Sequence, residues 1–121
     1  MKVKVPHSVQ IGPRIFQIEY KTKVLDKDKE ELSGACHPSY DHMEISLTSN
    51  KHKAMLFSTI FHEFCHGMLY VGGQSSRLAD EGNQEEDLFI VLESYLESMI
   101  NWKSPIWTKW KLVELVPKEE S

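Results

Sequence analysis

Two histidines and a glutamate are the residues of this sequence whose types and spacing best suit chemistry. His62, Glu63 and His66 form an H-E-x-x-H pattern. In a helix, one turn separates the two histidines, so both imidazoles project from the same face and can bind one metal ion. Glu63 then lies about 100° round the helix from His62, beside the ion, where a general base is needed. Zinc lowers the pKa of a bound water towards ~7, and the carboxylate can collect its proton as the water attacks a carbonyl.

The same three residues have a purely structural interpretation. His62 and His66 would then be core histidines that bond to carbonyls, with Glu63 exposed at a helix edge. A buried helix gains nothing from such groups, because an unpaired buried charge costs several kcal/mol. A metal ion gives them a partner and is the favoured hypothesis. Cys65 is expected to face away from the metal as a small buried hydrophobe, the alternative being a thiolate that ligates or inhibits the site.

A catalytic zinc site also needs a third protein ligand and an open fourth position. No histidine follows His66 within ten residues, so a glutamate of the next segment is expected. Glu85, Glu86 and Glu93 compete for this role. Glu85 falls on the apolar face of the predicted second helix, Glu86 lies near the start of that helix, and Glu93 lies deeper among apolar residues.

The motif lies in a segment that is predicted to form a long, buried helix over residues 51–71. Ser49 or Asn50 can cap its start, and the glycine pair that begins at Gly72 ends it. Nearly all of residues 54–71 are apolar apart from the motif and a few small polar side chains. A helix that is apolar on most sides is a central helix of the fold.

A second helix is predicted over residues 84–102, because apolar side chains recur there at helical spacing. These side chains are Leu88, Leu92, Tyr95, Leu96 and Met99. Pro105 interrupts the pattern, and residues 106–116 are predicted to add a short amphipathic helix or a strand. The three tryptophans between 102 and 110 are expected to pack in the core or at its edge, and a partner-binding patch is the alternative.

Extended structure is predicted before the motif helix. Residues 14–24 partly alternate between apolar and polar, as in a half-buried strand, and the charged residues 26–31 form a solvated connection. Residues 34–37 and 42–47 are predicted to pair as a hairpin around the turn that begins at Pro38. Strands followed by helices indicate an α+β domain, with a small N-terminal antiparallel sheet packed on the motif helix and the second long helix.

The sequence resembles the gluzincin group of zinc metallopeptidases, and more narrowly the short phage-type and prophage-type metallopeptidases. The resemblance covers residues 34–102, is strongest at the two histidines and extends over the two segments around them and the preceding strand. The residues that carry it are Tyr40, Asp41, Glu44 to Leu47, Thr59 to Tyr70, Glu85 to Phe89 and Leu92.

The resemblance implies that residues 1–121 form one minimal zincin-like metallopeptidase domain. In gluzincins the third ligand follows the second histidine by about twenty residues, which favours Glu86 over Glu85 and Glu93. Members usually add a Tyr or His that stabilises the oxyanion, and no motif identifies it here. By residue type alone the candidates for that role are Tyr70, Tyr95, His37 and His42.

Composition narrows the partners of the protein. The formal net charge of −4 argues against a general nucleic-acid binder, and no apolar run approaches the roughly 20 residues that span a bilayer. The N-terminus lacks the apolar stretch of a secretory signal, and two cysteines, Cys36 and Cys65, imply no disulfide framework. We therefore expect a cytoplasmic protein, in the host cytoplasm if phage-encoded, that acts on a peptide or protein substrate without nucleic acid or membrane.

The sequence thus predicts a zinc-dependent metallopeptidase in which His62, His66 and Glu86 hold Zn²⁺ and Glu63 is the catalytic base. A rival from another class is a catalytically inactive binding or regulatory module of the same fold, phage-related, whose zinc is structural or absent. A third interpretation is a phage adaptor in which the motif is accidental, and it predicts no stoichiometric metal. No oligomeric state is predicted.

Overall fold

The computed structural model describes residues 1–71 and 102–115, and these ranges form seven strands, one α-helix and one 3-10 helix. In chain order the elements are β1 (Lys2–Ile11), β2 (Arg14–Lys21), β3 (Val24–Leu25), β4 (Glu31–Leu32), β5 (Gly34–His37), the 3-10 helix (Pro38–Tyr40), β6 (His42–Ser46), α1 (Lys53–Val71) and β7 (Trp107–Glu114).

Five of the strands form one mixed sheet in the order β5-β6-β2-β1-β7. Neighbouring strands are antiparallel except β2 and β6, which run parallel with Gln17 opposite His42 and Glu19 opposite Glu44. Strands β3 and β4 form a separate two-stranded ribbon. The ribbon lies in the connection from β2 to β5. Residues 26–31, predicted to be a solvated connection, form its turn and the first residue of β4.

The predicted architecture, a small N-terminal antiparallel sheet packed on two long helices, is wrong. The sheet is mixed because β2 pairs with β6 in parallel, and it is not confined to the N-terminal half because β7 pairs with β1. Strands therefore dominate the described part of the chain, which contains one α-helix. The second helix, predicted over residues 84–102, lies outside the described residues except for its last position.

Strand β1 was not predicted from the sequence. It lies between β2 and β7 in the sheet, and its pairing with β7 joins the first and the last strands of the described chain. Val3 and Val5 are buried and alternate with exposed Lys2 and Lys4, which is the period of a strand with one buried face. Pro6 hides this signal because proline cannot donate to a ladder. Pro6 is tolerated in β1 because the pairing of β1 with β2 covers only residues 8–11. No backbone donor is therefore needed at Pro6 on the side of β2.

The core lies between one face of the sheet and α1. Phe16, Met43 and Ile45 from the sheet are fully buried, as are Ile60 and Phe61 from the helix. Burying a large apolar side chain contributes about 1.5–3 kcal/mol, so this layer contributes several kcal/mol to stability.

Gly67 lets the helix and the sheet approach closely. A Cβ built at this position would lie 2.7 Å from Cδ1 of Ile11 and 3.4 Å from Cε of Met43. A side chain there would meet the ends of the Ile11 and Met43 side chains, which would have to shift. The small residue therefore lets α1 lie close to the sheet at this point.

Several local predictions are confirmed. The strand predicted over residues 14–24 is β2, the predicted hairpin is β5 and β6, and the motif helix is α1. Within residues 106–116, for which the sequence allows either a helix or a strand, Trp107–Glu114 form the strand β7. The tryptophans pack among the aromatic rings of α1, with Trp102 4.6 Å from Phe57 between ring centroids. No helix in residues 1–71 and 102–115 is long and apolar enough to cross a membrane.

Candidate metal centre and cleft

The H-E-x-x-H residues lie in the middle of α1, where the helix faces strand β5. His62 and His66 are half-buried, and their ring centroids are 4.9 Å apart with the ring planes inclined by 79°. This is the geometry expected for side chains one helical turn apart on one face. Two imidazoles at this separation fit two positions of a tetrahedral zinc site, so the residues present fit the metal that the sequence implies.

Burial keeps one of these imidazoles neutral. Burial, and to a smaller extent the charge of His62, lower the pKa of His66 to about 4. A metal ligand must offer a lone pair, so a protonated imidazole cannot bind the ion. His66 is therefore in its ligand form at neutral pH.

Glu63 lies against the sheet beside the two histidines and is only 5 % exposed. Cys36 lies on the facing strand: burial, and then the negative charge of Glu63, raise the pKa of its thiol to about 12. The thiol therefore stays protonated and is not a competing thiolate. Glu63 is thus a buried side chain at the wall between α1 and β5, and its role as general base stays a prediction.

A cleft runs between α1 and β5, and its walls hold all three motif residues. It consists of two adjoining pockets of about 350 and 340 Å³, both of which are lined by Leu32, Gly34, His62 and Glu63. Ser58 and Thr59 extend the first pocket along the helix, whereas Cys36 and His66 line the second. Among the residues that the structure describes, the motif side chains thus line a groove at the edge of the core.

Gly34 sets the width of this cleft. A Cβ at this position would lie 3.0 Å from the backbone oxygen of Glu44, 3.0 Å from Cγ2 of Thr59 and 3.2 Å from Cγ of Glu63. The first of these neighbours belongs to the paired strand and cannot move by itself. Glycine therefore allows β5 to pass directly over Glu63.

Asn50 joins the two walls of the cleft. Its Nδ2 donates to the carbonyl oxygens of Ser46, at 2.6 Å, and Ser33, at 3.1 Å, and its Oδ1 accepts from Thr59 Oγ1 at 2.6 Å. The side chain is 1 % exposed. Ser33 precedes β5, Ser46 ends β6 and Thr59 lies on α1, so one buried amide fixes the strands against the helix.

The candidates for an oxyanion donor are distributed over different places. His37 and His42 lie opposite each other on β5 and β6, and His42 alternates with the buried Met43, so both occupy the outer face of the sheet, away from α1. Tyr70 lies two turns beyond His62 on α1, and Arg14 stacks on its ring at 5.2 Å. Tyr95 is outside the described residues.

The three glutamates that compete for the third ligand, Glu85, Glu86 and Glu93, all lie outside the described residues, so this assignment stays a prediction. Cys65 is fully buried in the core, as expected of a small hydrophobe.

Gly34, Cys36 and Asn50 were not recognised from the sequence as parts of the site. These residues belong to the site because the hairpin lies close to the helix, and no local sequence pattern encodes that distance.

Comparisons with protein-family models, with curated proteins and with solved structures found no match.

Proposed function

We propose that this protein is a zinc-dependent hydrolase of the metallopeptidase type, which cleaves a peptide bond or a related amide. The observation that supports the proposal most strongly is the placement of His62, Glu63 and His66 along one open cleft. In the structural alternative the histidines would be packed in the core and Glu63 would be exposed, whereas Glu63 is buried beside the cleft.

His62 and His66 would hold the zinc ion, and Glu86 is the proposed third ligand, with Glu85 and Glu93 as alternatives. Bound zinc would supply an activated water and polarise the carbonyl of the substrate. The neutral state of His66 favours this role because no proton must be displaced before the ion binds.

Glu63 would move the proton. Its carboxylate collects the proton of the attacking water and then donates it to the nitrogen of the leaving amine. Glu63 is 5 % exposed and lines both pockets of the cleft, which supports a role in which its carboxyl group contacts the attacking water.

The substrate would bind as an extended strand along β5. Within residues 1–71 and 102–115, β5 pairs with β6 alone, and no strand of this part of the chain covers its other edge, which borders the cleft. An extended peptide can add to such an edge through main-chain hydrogen bonds. This arrangement would place a backbone carbonyl of the peptide above Glu63, and it favours peptides over compact amides.

Replacement of Glu63 by Gln tests the proposal. We expect the variant to retain zinc and the fold but to lose about 10²–10⁴-fold in hydrolysis of a quenched fluorescent peptide library, the usual contribution of a general base. Glu30→Gln, which changes an exposed glutamate in the turn between β3 and β4, is the matched control and should be fully active. Hydrolysis by Glu63→Gln at the wild-type rate would overturn the role of Glu63. A wild type that binds zinc but cleaves no member of the library would instead favour the inactive binding module.

A further inference from the structure

We propose that the outer face of the sheet holds a second site for a divalent transition metal, with Glu19, His42 and Glu44 as its ligands and Zn²⁺ as the ion that fits best. This site is independent of the H-E-x-x-H cleft and of the hydrolase function. It would fasten the parallel pair of strands β2 and β6.

The three side chains share one face of two neighbouring strands. His42 and Glu44 alternate along β6 with the fully buried Met43 and Ile45, which face α1. Side chains alternate between the two faces of a strand, so His42 and Glu44 project from the opposite face. Glu19 lies directly opposite Glu44 on β2. Rigid strands, and not a loop, therefore hold all three groups.

The separations of the donor atoms match those of metal ligands. His42 Nε2 lies 3.2 Å from Glu19 Oε1 and 3.8 Å from Glu44 Oε2, and one ligand atom from each residue falls within 4.8 Å of the others. Ligands about 2.1 Å from a tetrahedral ion are about 3.4 Å apart. The single N–H of His42 Nε2 can donate a well-aligned hydrogen bond to one carboxylate, whereas a metal ion between the three side chains would contact all of them.

Neighbouring side chains hold the ligands in place. His37 Nε2 lies 3.3 Å from Oε1 of Glu44, whereas His42 contacts Oε2, so His37 holds the carboxylate from a second oxygen. The ring of Tyr40 stacks against His37 at 5.3 Å and against His42 at 5.9 Å. Groups that orient metal ligands in this way commonly change the affinity for the ion by 10–100-fold. His37 and Tyr40 are therefore positioning residues.

The charges also favour a cation. Two carboxylates converge on His42. Within residues 1–71 and 102–115, the lysine paired with this cluster is Lys21, whose Nζ lies 3.2 Å from Glu44 Oε2. Glu44 is only 18 % exposed, so water compensates its charge incompletely. Lys21 would compete with the ion for this oxygen. A mixed imidazole and carboxylate donor set suits zinc better than the all-oxygen sites of calcium or magnesium.

Zinc titration by calorimetry tests the second site separately from the cleft. In the His62→Ala/His66→Ala variant, which lacks the motif histidines, we expect one zinc ion per chain. Adding His42→Ala should weaken that binding by at least about tenfold, whereas adding His52→Ala, an exposed histidine before α1, should leave it unchanged. Lys21→Met should strengthen binding, because the competing ammonium is removed.

The wild type provides a second measurement if the double variant does not fold. Its stoichiometry should then be two zinc ions per chain, falling to one in His42→Ala. Absence of zinc binding in a folded double variant, or a stoichiometry that His42→Ala leaves unchanged, would overturn the second site. Neither result would alter the proposal for the cleft, which depends on His62 and His66.

Discussion

Asn50 offers the sharpest test of how the cleft is held together. Replacement by Ala removes three hydrogen bonds, to Ser33, Ser46 and Thr59, from a side chain that is 1 % exposed. A net contribution of about 1 kcal/mol for each bond predicts a loss of about 3 kcal/mol in the free energy of unfolding. For a domain of this size that loss lowers Tm by roughly 10–15 °C.

A double-mutant cycle in urea separates these bonds. Thr59→Val removes the bond between Thr59 and Asn50 and should cost about 1 kcal/mol, whereas Thr59→Ser keeps the hydroxyl and is the matched control. Combining Asn50→Ala with Thr59→Val should cost less than the two single changes together, because both remove the same bond. A cost below about 0.5 kcal/mol for Asn50→Ala, or full additivity in the cycle, would refute the assignment of Asn50 as the link between the walls.

Three further predictions follow from the cleft. Gly34→Ala should lower the free energy of unfolding by about 1–3 kcal/mol through overpacking. It should also lower the peptidase kcat/KM by roughly 10–100-fold, because β5 shifts over Glu63. Unchanged Tm and turnover would contradict the role of Gly34. The pKa of the Cys36 thiol is raised to about 12, so little thiolate is present at pH 9. Its alkylation by iodoacetamide at that pH, followed by peptide mass spectrometry, should be at least about 100-fold slower than in the unfolded chain. Equal rates would refute the burial of this thiol beside Glu63. In the zinc-free protein the pKa of His66 lies near 4, below its value in the unfolded chain. The unfolded chain therefore binds more protons, and the free energy of unfolding should fall as the pH decreases from about 6.5 to 4. An NMR titration midpoint of this imidazole above pH 6 would contradict this prediction.

Sequence reasoning succeeded where a signal is local and periodic. The motif helix, strand β2 and the hairpin of β5 and β6 each follow from spacing, turn residues and apolar runs within a short window. The H-E-x-x-H residues share a face for the same reason, since helical periodicity alone places His62 and His66 together.

The sequence failed where distant segments pair. Whether β2 and β6 run parallel, and whether β7 joins β1, depends on contacts between segments far apart in the chain, which no local pattern encodes. Pro6 also masked β1, whose alternating Lys and Val residues were the available signal. The role of Gly34 in the cleft wall could not be predicted for the same reason, because it depends on atoms of β6 and α1 that lie close to this glycine only in the folded chain.

Zinc stoichiometry at the motif histidines tests the central claim most directly. The measurement is made in a His42→Ala background, so that the outer-face site does not contribute, and compares His62→Ala, His66→Ala and the control His52→Ala. We expect one zinc ion per chain in the background and in the control, and none in the variants that lack a motif histidine. Zinc retained after the loss of His62 or His66, or no zinc in the background protein when the metal is supplied, would contradict the assignment of the cleft as a metal centre.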